Sequence, residues 1–167
     1  MLAAGGVASA APVVSHPQAR AVLINAEGKE VGAAAFEEIP GGIRVNLKVS
    51  GLSPGFHAFH IHSAVKCDPP DFKSAGSHFN PTHKKHGKQN PEGPHAGDLP
   101  DLYVGKDGTG ELVALVRGVT LSGSGENSLF HEGGTSVVIH ASADDNKTDP
   151  SGNSGDRIAC GVVMRLP

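Results

Sequence analysis

Hydrophobic and polar residues alternate along much of the first third of the chain, and this alternation predicts β-strands. Over residues 42–50, Ile43, Val45, Leu47 and Val49 take every second position, with polar side chains between them. When hydrophobic residues recur at every second position, one face of the strand points toward a core and the other toward water. Further strands are predicted at residues 20–25, 30–37, 102–104, 110–117, 135–140 and 158–164, and in the segment after residue 55 that carries His60 and His62.

Two stretches of the chain have no periodic pattern. Residues 63–97 and 143–156 are rich in proline, glycine, asparagine and charged residues, and they are too long to be idle connections in a compact domain. The composition, with 23 glycines, 12 prolines and no tryptophan, favours many turns and short strands. Roughly eight short strands with two long functional loops predict an all-β barrel or sandwich.

The length and charge of the chain limit the number of domains and the kinds of binding partner that the protein could have. A length of 167 residues fits one domain. The net charge of −3 gives no sign of a nucleic-acid surface, and no apolar run approaches the ~20 residues that span a bilayer. The apolar outer faces of a barrel could still form a homodimer.

The first 18 residues are predicted to be a disordered tail, and residues 19–167 to be the folded domain. The tail lacks the basic start and long apolar stretch of a complete signal peptide, but its Ala8-Ser9-Ala10 resembles a cleavage site. We interpret it as a remnant of an export signal or as an ordinary small-residue extension. Export would place the protein outside the cytoplasm, in the periplasm, the cell envelope or the medium.

The chain contains two cysteines, Cys67 and Cys160. In an exported protein they could form one disulfide bond, which would contribute on the order of 4–5 kcal/mol in the chain-entropy model. Two buried thiols or two thiolate metal ligands are the alternatives. Thiolate ligation is the weaker of these, because histidines and a carboxylate already supply enough ligands.

Six of the ten histidines, with one aspartate, are spaced like a pair of metal sites. Imidazole binds both zinc and copper, and one carboxylate among histidines suits zinc. His60 and His62 are two residues apart, so in a strand both side chains point to the same face. His140 can join them only if the barrel brings its strand alongside theirs. These three would form one site with a histidine shared from the long loop.

The long loop offers a second ligand set of three histidines and one carboxylate. Their spacing permits a closed tetrahedral zinc site formed by His78, His86, His95 and Asp98. A closed site of this kind indicates a structural metal. Zinc binding would also explain how such a long loop folds.

These segments resemble the copper/zinc superoxide dismutases, in particular the bacterial ones. The matching motifs keep the family's order from residue 20 to the end: GFHAFHIH at 55–62, GSHFNP at 76–81, HAGD at 95–98, IHASADD at 139–145 and GNSGDRIACG at 152–161. The resemblance implies an eight-stranded Greek-key barrel or sandwich. It also implies an enzyme that converts superoxide to oxygen and hydrogen peroxide by copper redox cycling, with zinc as a structural ion.

The resemblance assigns a metal to each ligand position. Copper would be bound by His60, His62, His78 and His140. Zinc would be bound by His78, His86, His95 and Asp98. His78 would therefore bridge the two ions, and it would carry a proton during the reaction.

Four further residues match positions outside the ligand sets. Asp144 would link one copper histidine to one zinc histidine and fix both rings. Arg157 would attract superoxide at the open face of copper, although the neighbouring Asp156 could damp its field. Cys67 and Cys160 would form the family's disulfide bond.

The remaining histidines are expected to play no part in metal binding. His57 matches a structural position of the family, and His16, His83 and His131 match none and are interpreted as surface residues. Two rival functions remain, a non-enzymatic copper carrier on the same fold and a zinc-only binding module. The copper carrier would be indicated by a missing copper ligand or a missing arginine, and neither is missing.

Overall fold

The computed structural model describes residues 18–167, which form an almost entirely β structure. The strands are β1 (Ala19–Asn25), β2 (Glu30–Ile39), β3 (Gly42–Val49), β4 (Gly55–His57), β5 (Phe59–His62), β6 (Leu102–Val104), β7 (Gly110–Arg117), β8 (Ser136–His140), β9 (Arg157–Val162) and β10 (Met164–Arg165). A short 3₁₀ turn covers Lys73–Ala75. The all-β prediction is confirmed. No helix within residues 18–167 is long and apolar enough to cross a membrane.

Two of the eight predicted strands are each divided in two, which gives ten strands among the described residues. The segment after residue 55 breaks at Ala58, whose N–H and carbonyl bond to Ser142 and His140. The last predicted strand breaks at Val163, whose N–H donates to Thr135. Each break follows from a change of pairing partner, which the hydrophobic pattern of a single strand does not encode.

All strand pairs are antiparallel, and the order across the sheet is β4-β6-β7-β3-β2-β1-β9-β8-β5, with β10 beside β1. β4 and β5 are consecutive in the chain and lie at the two ends of this order, so the sheet nearly closes into a barrel. β7 pairs with β3 although β4, β5 and β6 lie between them in the chain, and this return to an earlier strand is a feature of Greek-key connectivity.

The core lies inside the barrel and follows the predicted alternation. Ile43, Val45, Leu47 and Val49 are all buried, in one large apolar cluster with the inward residues of the other strands. Burying side chains of this size contributes roughly 1.5–3 kcal/mol each. The outward positions between them remain free to be polar.

Three long connections leave the barrel, at residues 63–101, 118–135 and 141–156. The first and third correspond to the two predicted loops. The second was not singled out by its sequence, and its start is held by Glu38 of β2. The carboxylate of Glu38 accepts hydrogen bonds from Thr120 and Ser122, which keep the pKa of Glu38 below its usual value.

A disulfide bond joins Cys67, on the first long loop, to Cys160 on β9. The disulfide alternative for the two cysteines is therefore the one observed. Cys160 packs in a small second apolar cluster with Phe72, Ala75 and Val138. The bond anchors the beginning of the long loop to the barrel wall.

The predicted tail, residues 1–18, lies outside the described residues except for Gln18. The N–H of Gln18 donates to the carbonyl of Phe36 on β2. The predicted boundary between this tail and a domain of residues 19–167 stays a prediction.

Candidate metal centre

The barrel and the first long loop bring the six predicted histidines and Asp98 together, and all seven residues are buried. His60 and His62 lie on β5 and point to one side. β5 pairs with β8, so His140 at the end of β8 reaches the same side. A local bridge between His62 and His78 holds the loop against the strand.

The first ligand group contains one nitrogen from each of four histidines, and these atoms lie within 4.8 Å of one another. The nitrogens are His60 Nδ1, His62 Nε2, His78 Nε2 and His140 Nε2, and each is buried without a hydrogen-bond partner. A buried polar atom without a partner is costly. Four such atoms converging on one point fit a metal ion that prefers imidazole, such as copper.

The second ligand group surrounds the carboxylate of Asp98. Its Oδ1 lies 2.9 Å from His78 Nδ1, 3.0 Å from His86 Nδ1 and 3.2 Å from His95 Nδ1. Its Oδ2 accepts the backbone N–H groups of Gly87 and His95, both at 2.9 Å. Three imidazole nitrogens and one fixed carboxylate oxygen fit a closed tetrahedral zinc site.

His78 belongs to both groups through different atoms. Its Nδ1 faces Asp98 and its Nε2 faces the three remaining histidines of the first group. One imidazole ring therefore separates the two candidate metal positions. The structure brings His78 to the place that a bridging ligand would occupy.

Asp144, from the third long connection, links the two groups from the outside. Its Oδ2 lies 2.8 Å from His60 Nε2 and its Oδ1 lies 2.9 Å from His86 Nε2. Carboxylates in this position fix the orientation and tautomer of metal-binding imidazoles. Gly152 packs directly against this carboxylate, and a Cβ there would overlap Asp144 and His86.

Burial shifts the pKa values of three histidines of the first group downward. It lowers the pKa of His62 well below its ordinary value, that of His78 to about 4 and that of His140 to about 3. Imidazole must be neutral to bind a metal. These three rings are therefore neutral near pH 7, in the form that a metal requires.

His86 has the opposite shift. Burial alone would lower its pKa, but hydrogen bonds to the carboxylates of Asp144 and Asp98 outweigh it and raise the pKa to about 9. Burial likewise disfavours the charged form of Asp98, yet the hydrogen bonds from His78 and the other histidines hold its pKa well below the usual range. Binding a metal here would release a proton from His86.

Arg157, at the start of β9, lies half-buried beside the first group. Its guanidinium donates to the carbonyls of Phe72 and Gly76, at 2.8 and 2.7 Å. It shares the carbonyl of Gly76 with the ring of His62, so it lies beside this candidate ligand. It also lines an open cavity of about 530 Å³ together with Lys73, Asp71 and Asp156.

Sequence reasoning missed several residues that support the site. Lys73 and Asp71, paired at 3.0 Å, share the cavity with Arg157. Asp101 accepts the backbone N–H of Asp144, and Asp149 accepts that of His86. Isolated charges on loops carry no sequence signal for such contacts.

Three of the histidines that are expected to play no part in metal binding, His57, His83 and His131, lie outside both groups. His57 is buried, with its two ring nitrogens each 2.8 Å from a backbone carbonyl, of His140 and of Ser53. His83 is exposed. His131 is partly buried rather than a surface residue, and it stacks on Phe79. His16 lies outside the described residues.

Comparison with known proteins shows to which family the chain belongs. The model of the family described as copper/zinc superoxide dismutase matches residues 30–163. This chain belongs to the copper/zinc superoxide dismutase family. Cu-Zn superoxide dismutase 1 of Aquifex aeolicus is 50% identical over 152 residues, which cover 90% of each protein. The Cu-Zn superoxide dismutase of Caulobacter vibrioides is 41% identical over 147 residues, covering 87% of this chain and 84% of the relative.

Solved structures of the family have the same fold. A crystal structure of a superoxide dismutase-like protein from Bacillus subtilis superposes with a TM-score of 0.83 at 41% identity, covering 87% of this chain and 97% of that one. The Cu/Zn superoxide dismutase from Brucella abortus superposes with a TM-score of 0.68 at 28% identity, covering 88% and 100%. The cofactors of this family are copper and zinc, and the two ligand groups fit both ions.

Proposed function

We propose that this chain disproportionates superoxide, with copper held by the first ligand group and zinc by the second. The observation that carries the proposal is the convergence of the four unpartnered nitrogens, three from the barrel and one from His78, beside a half-buried arginine. The copper ligands are His60, His62, His78 and His140. The zinc ligands are His78, His86, His95 and Asp98.

When bound, copper supplies one-electron redox chemistry, whereas zinc does not change its redox state. The overall reaction converts two superoxide ions and two protons to oxygen and hydrogen peroxide. Arg157 provides a fixed positive charge that attracts and orients the anion. The two carbonyls that hold its guanidinium keep that charge at the mouth of the site.

His78 can hold a proton on Nε2 whenever that nitrogen is not engaged by copper. Its Nδ1 stays on the zinc side beside Asp98, so the ring remains in place while the other nitrogen exchanges its proton. Asp144 positions His60 and His86 and touches neither reacting atom. Arg157 and His78 are therefore the two residues that act on the substrate.

The test is metal analysis of the protein as purified and again after loading with copper and zinc, together with a superoxide assay. We expect copper and zinc at one ion each per chain after loading, and rapid turnover. His62→Ala should lose copper and activity, whereas the matched variant His83→Ala, at an exposed histidine, should keep both. Full copper loading without turnover would favour the copper carrier, and zinc binding without copper would favour the zinc-only module.

We propose that the protein works outside the cytoplasm. The disulfide bond between Cys67 and Cys160 supports this, because such bonds persist in oxidising compartments. The similarity to bacterial Cu-Zn enzymes supports it further. Fractionation of cells that express the full chain should recover it oxidised in the periplasmic, envelope or secreted fraction. Recovery of reduced protein in the cytoplasm alone would contradict the proposal.

We also propose a homodimer formed through the outer face of β4, β6 and β7. Phe56 and Tyr103, each 58% exposed, face each other across β4 and β6 with ring centroids 5.0 Å apart. Val113 and Leu115 on β7 are also more than half exposed. An aromatic and aliphatic surface of this kind is typical of subunit interfaces.

Sedimentation of the wild type and of two double variants tests the dimer. Tyr103→Ser with Leu115→Ser should give a monomer. Val22→Ser with Met164→Ser, at exposed apolar residues of β1 and β10, should leave a dimer. A monomeric wild type, or a dimer lost only in the second variant, would show this interface to be wrong.

A further inference from the structure

Five of the six candidate ligand histidines have both ring nitrogens accounted for. His60 and His86 contact Asp144 through the nitrogen that faces away from the ligand group. His62 and His140 use that nitrogen to contact the carbonyls of Gly76 and Gly155, and His78 turns one nitrogen to each group. Metal-binding imidazoles almost always donate their second N–H to a carboxylate, a backbone carbonyl or water.

His95 is the exception among the described residues. Its Nδ1 lies 3.2 Å from Asp98 in the zinc group, but its Nε2 has no hydrogen-bond partner among residues 18–167. The unpartnered nitrogen is not sealed in the core, because His95 lines a cavity of about 370 Å³ that is open to solvent. We call this the zinc-side cavity.

Three cations line the zinc-side cavity: Lys84, Lys88 and Arg117. Within residues 18–167 none of them pairs with a carboxylate, whereas Lys48, Lys73, Lys85 and Arg44 each do. The one carboxylate in the wall is that of Asp98, and both its oxygens are already occupied by the hydrogen bonds of the zinc group. The cavity is therefore concave and positively charged, and residues 18–167 supply no free carboxylate to it as a counter-ion.

The backbone around each cation is fixed. The side chain of Asn80 bonds to both the N–H and the carbonyl of Lys84, at 3.0 and 2.9 Å. Lys88 lies between Gly87, which donates to Asp98, and Gln89, which donates to the carbonyl of Asn146. Arg117 ends β7, paired with β3. The three cations are therefore carried by a fixed backbone, which lowers part of the entropic cost of binding an anion.

We propose that the zinc-side cavity binds a small oxyanion of the phosphate class, held by its three cations and accepting the Nε2–H of His95. Guanidinium and ammonium groups together suit a tetrahedral oxyanion. The anion would supply a charged acceptor that no described protein group gives to His95, so its binding and zinc retention would strengthen each other. This inference rests on the proposed role of His95 as a zinc ligand.

The experiment uses copper-free protein loaded with zinc, at constant ionic strength, with inorganic phosphate as the probe. Calorimetric titration measures binding, and transfer of zinc to a chromogenic chelator measures retention. The test variant is Lys88→Gln with Arg117→Gln, and the charge-matched control is Lys29→Gln with Lys106→Gln on two distant turns. A second titration with phenyl phosphate tests whether the cavity binds a phosphomonoester or only free phosphate.

We expect saturable phosphate binding in wild type and control, at least tenfold weaker in the test variant. Saturating phosphate should slow zinc release roughly tenfold in wild type and control and have little effect in the test variant. This size matches the roughly tenfold or larger loss of metal affinity when a hydrogen-bond partner of a metal-binding histidine is removed. Equal binding in test and control variants, or binding lost only in Arg157→Gln, would overturn the proposal. So would phosphate binding without any effect on zinc release. Failure of the wild type to take up zinc would instead refute the zinc assignment itself.

Discussion

Arg157 and the candidate copper ligand His62 donate to the same oxygen, the backbone carbonyl of Gly76. The distance is 2.7 Å from the guanidinium Nη2 and 2.9 Å from His62 Nδ1. The same arginine also donates to the carbonyl of Phe72. Arg157 therefore has two roles. It places a positive charge beside the candidate metal site, and it clamps the loop carbonyl that also orients the ring of His62.

This dual contact predicts different effects for two substitutions of Arg157. Arg157→Glu reverses the charge and should lower kcat/KM for superoxide at least tenfold, within the roughly 10–10³-fold range of electrostatic steering. Arg157→Lys keeps the charge but can replace only part of the planar two-carbonyl contact, so it should retain intermediate activity. The measurement is the rate at increasing ionic strength, with copper content determined for each variant.

Wild-type activity should fall as salt rises, because the Debye length is ~10 Å at 0.1 M. Arg157→Glu should lose or invert this dependence while keeping its copper. If that variant retained wild-type activity and salt dependence, Lys73 in the same cavity would become the candidate guiding cation.

The disulfide bond should support this clamp. Cys160 packs in the same small cluster as Phe72, whose carbonyl accepts from Arg157. Replacing both cysteines by serine removes a link across 93 residues and should lower the free energy of unfolding by about 4–5 kcal/mol in the chain-entropy model. Activity should fall further than copper content does.

Chemical denaturation, metal analysis and the superoxide assay together measure these effects. Mass spectrometry of unreduced wild-type protein should find one internal link between Cys67 and Cys160. A double-serine variant with wild-type activity per copper ion would contradict the proposed connection from the disulfide to Arg157.

Asp98 should be required for zinc to stabilise the folded protein. Asp98→Asn keeps the shape of the side chain but removes the charge that three imidazoles surround. We expect the variant to lose zinc, so that added zinc no longer raises its Tm. In the wild type, zinc at 100 times its Kd should contribute about 2.7 kcal/mol.

Thermal unfolding with and without zinc tests this expectation. Asp107→Asn, in the turn between β6 and β7, serves as the control and should respond to zinc like the wild type. Unchanged stability in an Asp98→Asn variant that demonstrably lacks zinc would show that the second group is not a structural zinc site.

Local patterns in the sequence predict much of this fold. The alternation that includes Val45 and Leu47 gives a strand with a buried face, and both residues are buried. The spacing of His60 and His62 places both on one side of β5, because side chains alternate along a strand. These conclusions need only the geometry of the strand itself.

Other features depend on contacts between distant segments, and the sequence does not encode them locally. The break at Ala58 arises because the two halves of one predicted strand pair with β6 and β8. The carbonyl of Gly76 has no side chain to mark it as an acceptor for Arg157. The unpartnered nitrogen of His95 becomes visible only when the surroundings of every other ligand are known.

The contact of Gly152 with Asp144 is another feature that the local sequence does not encode, and it can be tested by substitution. The φ of Gly152 is +67°, and a Cβ at this position would overlap the carboxylate of Asp144 and the ring of His86. Gly123 has nearly the same φ, +66°, but a Cβ there would meet no atom within 4 Å. The two glycines therefore share the backbone strain of a substitution and differ only in the collision.

Gly123→Ala should cost about 1 kcal/mol of stability, from the left-handed conformation alone, and leave metal binding unchanged. Gly152→Ala should lose more stability and release both copper and zinc faster, because displacing Asp144 frees the rings of His60 and His86 together. Denaturant unfolding gives the difference in stability, and competition with chelators gives the two release rates. Equal metal release from the two variants would mean that the link through Asp144 does not hold the paired metal sites together.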